Sequence, residues 1–503
     1  MGSCFSKSTT SSKSTIHEQT STNQTANTMS SPSTARQLVQ LITASLDALE
    51  KSTAASGTQI PDLHAPFHPA TEAFRSDPAA AEAANVIGAA ALQLAAILIP
   101  PQVSLYHIVG GHFKSAAIRA CIESNVTEIL REGGPDGVHV DVIASKNGQD
   151  PHKLSRFLRI LASNHIYREV KPNVFTNTRI SSMLDTLKPS QDIIADPTTK
   201  HVNTMGLTAL ASHHLDEAFK AAAFTWEVLE DPKTAKSGDP DSSPFARAMG
   251  RRETLWQYYE RKENAFRQSR FNIGMEGIQA LQPVDASLQA FGWKSLQDGA
   301  VVVDVGGGVG TSALPLAREF PKLQIVVQDL PSVMKDAERV WANKMPDAVK
   351  SGRVVLEAQD FFQPQRQRKV DVFFLKQILH DWSDEYCTKI LKQLRAASSP
   401  NTKLVLMESL MPFACHDPNG DGGSGIPGAV PHEAPAPLLA NYGAVNEMGY
   451  NADMTMFLLF NSQERTVLHF DELLRGAGWK VTVVHRAKGG DSTFLQSIEA
   501  TPI

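Results

Sequence analysis

The stretch "VVVDVGGGVGTSALPLAREF", Val301 to Phe320, decides the fold. A short apolar run reads as a buried strand. Gly306, Gly307, Gly308 and Gly310 follow it, and an apolar-spaced helix follows them. Glycines between a strand and a helix permit a tight turn and let a ligand approach the backbone. The spacing is G-x-G-x-G, because Thr311 stands where a dinucleotide fingerprint keeps its last glycine. With acids at the next two strand ends, Asp329 and Asp360, an adenosyl ligand without a pyrophosphate is the natural candidate.

Downstream, "QIVVQD", "RVVLEAQD", "VDVFFLK" and "KLVLMES" are short apolar strands separated by helical stretches. Continuous apolar strands alternating with helices predict a parallel sheet covered on both faces. "KVTVVHRA" and "STFLQSIEA" close the chain as an antiparallel pair. The expected class is α/β: a doubly wound, mostly parallel Rossmann-like sheet with an antiparallel C-terminal strand. Asp329 ends the second strand, where an acid holds ribose hydroxyls. Asp360 ends the third and is followed by Phe361, an acid and a ring suited to adenine. The plainer alternative is an ordinary α/β turn with acids at its strand ends.

Ligands of open α/β sheets sit beyond the carboxyl ends of the strands. His380, in "LKQILHDWSDE", lies just past the fourth strand on that side. Ser383 as N-cap, with Asp384 and Glu385 in the first turn, explains "SDE" structurally. His380 precedes the cap and is not needed for helix formation. Glu408 ends the next strand, and Glu464 in "NSQERT" stands before a helix capped by Thr466. An imidazole titrates near ~6.5 and a phenol near ~10, so a neutral histidine can take a hydroxyl proton as an electrophile approaches. A neighbouring carboxylate would fix the ring tautomer and stabilise the imidazolium.

Before the sheet, residues 111–190 carry three helices and a hairpin, a winged-helix shape. "SAAIRACIESNVTEILREGG" reads as one helix, with Ile118, Cys121, Ile122, Ile129 and Leu130 on one face. "DPHKLSRFLRILASNH" starts with Asp150 as N-cap and Pro151 at the first helical position, and Leu154, Phe157, Leu158 and Leu161 keep helical spacing. Lys153, Arg156 and Arg159 lie on its exposed face, but the domain is not strongly basic, so dimer formation is expected rather than nucleic-acid binding. Residues 191–290 are helical and rich in aromatics and methionine, packing or pocket lining. Residues 37–110 form a helical extension with a Pro-rich linker around 60–78. "VIGAAALQLAAILI", Val86 to Ile99, is shorter than the roughly 20 residues of a membrane span and reads as a packed helix. Residues 1–36 read as a Ser-rich tail. It opens "MGSCFS", a pattern that fits myristoylation of Gly2, with Cys4 placed for palmitoylation and tethering to a membrane.

The 503 residues suggest two or three domains, and the net charge of −5 argues against a bulk polyanion partner. Four dispersed cysteines, without a CxxC pair, fit a reducing, intracellular setting. "CHDPNGDGGSGIPGAVPHEAPAP", from Cys415, reads as a surface insertion.

From Ser115 to Ile503 the chain resembles the plant-type and fungal S-adenosylmethionine-dependent O-methyltransferases of small phenolic natural products. "VVDVGGGVG", "VVQDLPSV", "QDFF", "LKQILHDWSDE", "LVLMES" and "NSQERT" carry the resemblance, in the family's order, and "ENAFRQSRFNIGMEG" is similar to the fungal members. The resemblance implies that residues 291–503 (the sheet domain) bind S-adenosylmethionine and release S-adenosylhomocysteine. The glycines would face the methionine part; Asp329 with Leu330, Asp360 with Phe361, and Lys376 would make the other cofactor contacts. It implies His380 as base, flanked by Glu408 and Glu464, with Asp381 behind. It also implies a homodimer, a small aromatic hydroxylated substrate and no metal, no carboxylate cluster being visible in the sequence. Trp256, Phe271, Met275, Met454 and Met456 are the candidate pocket residues. Ile278 stands where the lignin-pathway enzymes carry a substrate-contacting histidine, so their simple substrates are not implied. The competing expectations are N-methylation on the same scaffold, a winged-helix DNA-binding ligand sensor, and a tethered, catalytically idle adaptor.

Overall fold

A computed structural model describes residues 32–283, 285–416, 425–486 and 495–503. Gly2 and Cys4 lie outside them.

Two long helices open the described chain, α1 (Thr34–Ser56) and α2 (Pro78–Leu98). Asp77 caps α2 by accepting from Ala79 N, with Pro78 at the first position. The helices pair, and Leu38 of α1 with Val86, Ala89 and Ala90 of α2 forms one apolar cluster with Ala434, Leu438 and Tyr442. The insertion expected at the surface is thus partly interior, because it covers the apolar face of the N-terminal hairpin. Gln93 donates to Pro437 O (2.9 Å) and Tyr442 Oη to Glu82 (2.6 Å) across that contact. α2 is long and apolar enough to cross a membrane by length and composition. One face is packed, whereas Leu92, Ile97 and Leu98 remain exposed.

The winged-helix region departs from expectation at two points, a helix break and the exposure of Phe157. The run read as a single helix is two, α3 (Gly111–Glu123) and α4 (Val126–Gly133). The break is Asn125, in the left-handed region at φ 57°; asparagine tolerates that conformation better than most residues. Apolar spacing continues across the break, which hides it from a periodicity argument. Next come α5 (Val140–Asn147) and α6 (Pro151–Ala162), where Asp150 accepts from Lys153 N (2.8 Å) as expected. Leu154, Leu158 and Leu161 are buried, but Phe157 is exposed. Strands Tyr167–Lys171 and Val174–Asn177 complete a three-stranded sheet with Val138–His139.

The large sheet has seven strands: β1 (Val301–Val305), β2 (Gln324–Asp329), β3 (Val354–Ala358), β4 (Val372–Lys376), β5 (Lys403–Glu408), β6 (Trp479–His485) and β7 (Gln496–Pro502). Their order is β3-β2-β1-β4-β5-β7-β6, with β7 antiparallel to both neighbours. Apolar clusters cover both faces, as the continuous apolar strands demand. The order reverses beside β1, so β1 and β4 end at the switch point where ligands of such sheets bind.

Candidate active site

The glycine loop follows β1 directly. Gly306, Gly308 and Gly310 have φ of 68°, 58° and 86°, which only glycine adopts freely. A side chain at Gly306 would meet Ile378 Cδ1 at 2.6 Å and Phe361 Cε1 at 3.6 Å; one at Gly308 would project into open space. The loop therefore packs on the Phe361 and Ile378 side and stays open along Gly308. Asp329 ties it to β2, accepting from Gly308 N (2.9 Å) and Leu330 N (2.7 Å). Asp360 accepts from Phe362 N (2.9 Å), fixing the turn that presents Phe361. Phe361 and Phe362 stack edge-on with each other and with Trp382.

Asp304, inside β1, was not singled out by sequence reasoning. It is buried, and its Oδ2 has no partner among the described residues. Burial pushes its carboxyl up to about 7, against the pull of Lys376 and with help from Asp329. Burial pulls the Lys376 ammonium down, with Asp304 opposing. An orphaned buried acid beneath an open glycine turn is a site built for a polar ligand that donates hydrogen bonds. The α-amino group and main-chain-like head of S-adenosylmethionine fit that requirement, and Phe361 offers a ring beside the same loop.

His380 sits on a 3-10 turn, Leu379–Asp381, immediately beyond β4. Its Nδ1 lies 2.8 Å from Glu464 Oε1. Its Nε2 is 3.6 Å from Asp381 Oδ1, too long for a committed hydrogen bond. Glu408, at the end of β5, accepts from Ile378 N (3.2 Å) and Leu379 N (2.9 Å), so it holds the turn that carries the histidine. Glu464 is held in its turn by Asp453 of the helix Glu447–Phe460, whose Oδ1 accepts from Glu464 N (2.8 Å). The remaining oxygens, Glu408 Oε2 and Glu464 Oε2, are buried without a partner among the described residues.

Charge in this corner is one-sided. Burial alone would lower the imidazole pKa, but Asp381, Glu464 and Glu408 outweigh it and hold it up, at about 10. Burial raises Glu408 to about 7, with His380 opposing and Glu464 adding to the rise. Asp381 is raised by burial too. Sequence reading saw no carboxylate cluster; the fold makes one. Ligand atoms of His380, Glu408 and Glu464 lie within 4.8 Å of one another. Strands β4 and β5 are neighbours, and the Glu464 turn packs over both, which no single motif reveals.

Ser383 occupies the N-cap position expected of it, but its side chain makes no cap bond. Its neighbour Asp384 instead receives Arg465 Nε (2.9 Å) and His469 Nε2 (2.7 Å). Thr466 caps its helix as expected, accepting from His469 N (3.2 Å). Of the pocket candidates, Phe271, Met275 and Met456 share one cluster with Tyr258, Tyr259 and Phe460. Trp256 stacks on it, 5.7 Å from Phe271 and 5.5 Å from Phe460. Met454 is 48% exposed and stands outside that cluster.

Residues 226–423 match an O-methyltransferase domain, and residues 106–186 match an O-methyltransferase dimerisation domain. A 4-O-methyltransferase of Phanerochaete chrysosporium is 54% identical over 471 residues, covering 94% of this chain and 100% of its own length. An O-methyltransferase of Armillaria gallica is 42% identical over 457 residues, covering 90% of this chain and 96% of its own. Among solved structures, an SAH-bound methyltransferase of calicheamicin biosynthesis aligns with a TM-score of 0.54 and 22% identity, over 80% of this chain and 98% of its own. That likeness is one of fold.

Proposed function

The chain belongs to the dimerising O-methyltransferases, and from that premise we propose that it methylates a hydroxyl of a small aromatic metabolite with His380 as general base. It is an S-adenosylmethionine-dependent enzyme of secondary metabolism. The observation that carries the base assignment is the His380 Nδ1 to Glu464 contact of 2.8 Å. A proton held on Nδ1 by Glu464 leaves the Nε2 lone pair to receive the acceptor's proton.

S-adenosylmethionine, when bound, supplies an electrophilic methyl on a cationic sulfur, and a positive charge in the same corner opposes protonation of the imidazole. Gly306 to Gly310, Asp304, Asp329 with Leu330, Asp360 with Phe361, and Lys376 are the residues that would hold it. Glu408 keeps the His380 turn in register with the end of β5. Glu464 orients the ring and steadies the imidazolium after proton uptake. No metal takes part in this reading; the two glutamates serve the imidazole instead. Trp256, Phe271, Met275 and Met456 would receive the aromatic ring, and Met454 is the weakest member of that set. The name of the 54% identical relative extends the proposal to a 4-hydroxyl. The dimerisation domain makes a homodimer the working assembly.

The test is methyl transfer from labelled S-adenosylmethionine to a panel of phenols, with products located by NMR and with EDTA present or absent. His380→Ala is expected to lose about 10²–10⁴ in rate while still binding S-adenosylhomocysteine. Equal turnover in the variant would remove the base, and sensitivity to EDTA would bring a metal in.

A further inference from the structure

Arg465 directly follows Glu464 and is the largest fully buried charged side chain among the described residues. Its Nη1 donates to Leu379 O (2.9 Å) and Gln463 O (3.2 Å). Its Nη2 donates to Trp382 O (2.7 Å), and Nε donates to Asp384 Oδ1 (2.9 Å). Leu379 and Trp382 bracket His380 and Asp381. One guanidinium therefore grips both ends of the turn that carries the histidine, from the residue beside the glutamate that orients it. Asp384 fixes the fork from below and is itself held by Gln463 Nε2 (3.2 Å) and His469 Nε2 (2.7 Å). Cys387 Sγ lies against the same two carbonyls at 3.2 and 3.3 Å, but a thiol is a weak donor and has no fork to span them.

A planar guanidinium offers five donors in fixed directions, which an ammonium cannot reproduce. We propose that Arg465 is a positioning residue for methyl transfer, oriented by Asp384: it couples the His380 turn to the Glu464 turn and so sets the distance between base and orienting acid. Burying a full charge costs stability unless every donor is used. An apolar residue would fill the same space more cheaply, and what it would not do is tie two catalytic turns together. The proposal rests on His380 acting as the base.

The experiment compares Arg465→Lys, Asp384→Asn, Glu464→Gln, His380→Ala and the double variant Arg465→Lys/Glu464→Gln in the full chain. Readouts are kcat, KM for a turned-over phenol, S-adenosylhomocysteine affinity, Tm and the pH profile of kcat. Arg465→Lys is expected to keep affinity and KM within about twofold and to lose roughly 10–100-fold in kcat. With the Nδ1 contact loosened, the rising limb of its pH profile moves to lower pH. The double variant loses far less than the product of the two single losses, because one contact underlies both. If Arg465→Lys does not fold, Asp384→Asn decides: it keeps the cation, frees its fork and lowers kcat several-fold. A folded Arg465→Lys with wild-type kcat, fully multiplicative losses, or an Asp384→Asn at wild-type kcat overturns the clamp. If His380→Ala turns over normally, the base reading falls and the clamp falls with it. If His380→Ala is inactive while Arg465→Lys is not, the clamp alone is wrong.

Discussion

Two buried charge clusters lie in this molecule, and they are built on opposite rules. Around His380, one imidazole faces Asp381, Glu408 and Glu464, and two carboxylate oxygens are left without partners among the described residues. In the helical region, Arg270 lies between Asp216 and Glu217 on a π-helical turn, His214–Ala218. Arg270 Nη2 donates to Asp216 Oδ2 (3.0 Å) and Glu217 Oε1 (2.6 Å). Arg119 of α3 and Lys220 take Asp216 Oδ1, at 2.7 and 2.6 Å, and His213 takes Glu217 Oε2 at 3.2 Å. Every carboxylate oxygen there is used, so the acids are saturated, although Arg270 Nε is buried without a partner among the described residues. Asp216 titrates well below the ordinary carboxylate range, burial being outweighed by Lys220 and Arg270. Arg270 is raised, its burial outweighed by the same two acids. A saturated cluster holds parts together; an unbalanced one stores a reason to move a proton. The saturated cluster links the dimerisation domain to the helices that carry Trp256 and Phe271, so its work is scaffold.

The largest effect tests the scaffold side. Arg270→Met takes the hydrogen-bonded cation from buried Glu217 and leaves it only Arg267, at 3.7 Å, which costs up to about 3–5 kcal/mol. Tm is expected to fall by roughly 3–5 °C, the unfolding entropy being about 2.1 cal/mol/K per residue over 503 residues, while the folded fraction keeps its turnover per site. A small Tm change with lost activity would reverse the assignment of the two clusters. Calorimetry beside active-site titration separates them.

The next effect tests the unbalanced side. Glu408 has a folded pKa raised to about 7 from an ordinary 4.5. A raised carboxyl favours its protonated form in the folded state. Its ionisation therefore costs nothing below about pH 4.5, costs increasingly between 4.5 and 7, and stays costly above. The size is on the order of 2–3 kcal/mol, discounted because the site is coupled. Glu408→Gln keeps an oxygen for Ile378 N and Leu379 N and removes the charge. Its Tm is expected to match the wild type near pH 4.5 and exceed it by a few degrees at pH 8, with lower kcat. Parallel Tm curves across pH would show that Glu408 is not under that strain.

How much of this was legible in the sequence follows from where each group gets its position. The glycine turn, Asp329, Asp360, His380 and Glu408 stand at strand ends, and strand ends are visible as the limits of apolar runs. Asp304 was hidden because one acid inside an apolar strand reads as a blemish until its burial is known. Arg465 was hidden because its distant partners are backbone carbonyls 83 and 86 positions away, and carbonyls leave no mark on a sequence. The break at Asn125 escaped because periodicity continued across it. The packing of α1 and α2 on Ala434 and Leu438 escaped because a Gly/Pro-rich run promises exposure, and only the apolar face opposite gives it something to cover.

The smallest effect is the most discriminating. Three carboxylates hold the His380 imidazole up at about 10, so a base there works better as pH rises, and the rising limb of kcat lies alkaline of the ~6.5 of a free imidazole. Bound cationic cofactor draws that limb back toward neutrality. Glu464→Gln still offers an oxygen to Nδ1 but removes one negative charge. Less negative charge means a less stable imidazolium, so the limb is expected to move to lower pH by about one unit, some 1.4 kcal/mol. If Glu464 only orients the ring, kcat at high pH falls and the limb stays where it was. If it only tunes charge, the limb moves and the plateau is unchanged. Both changes together are the expected result, since the 2.8 Å contact carries a hydrogen bond and a charge at once. The same substitution at a saturated site such as Glu217 would disturb folding before it disturbed any proton.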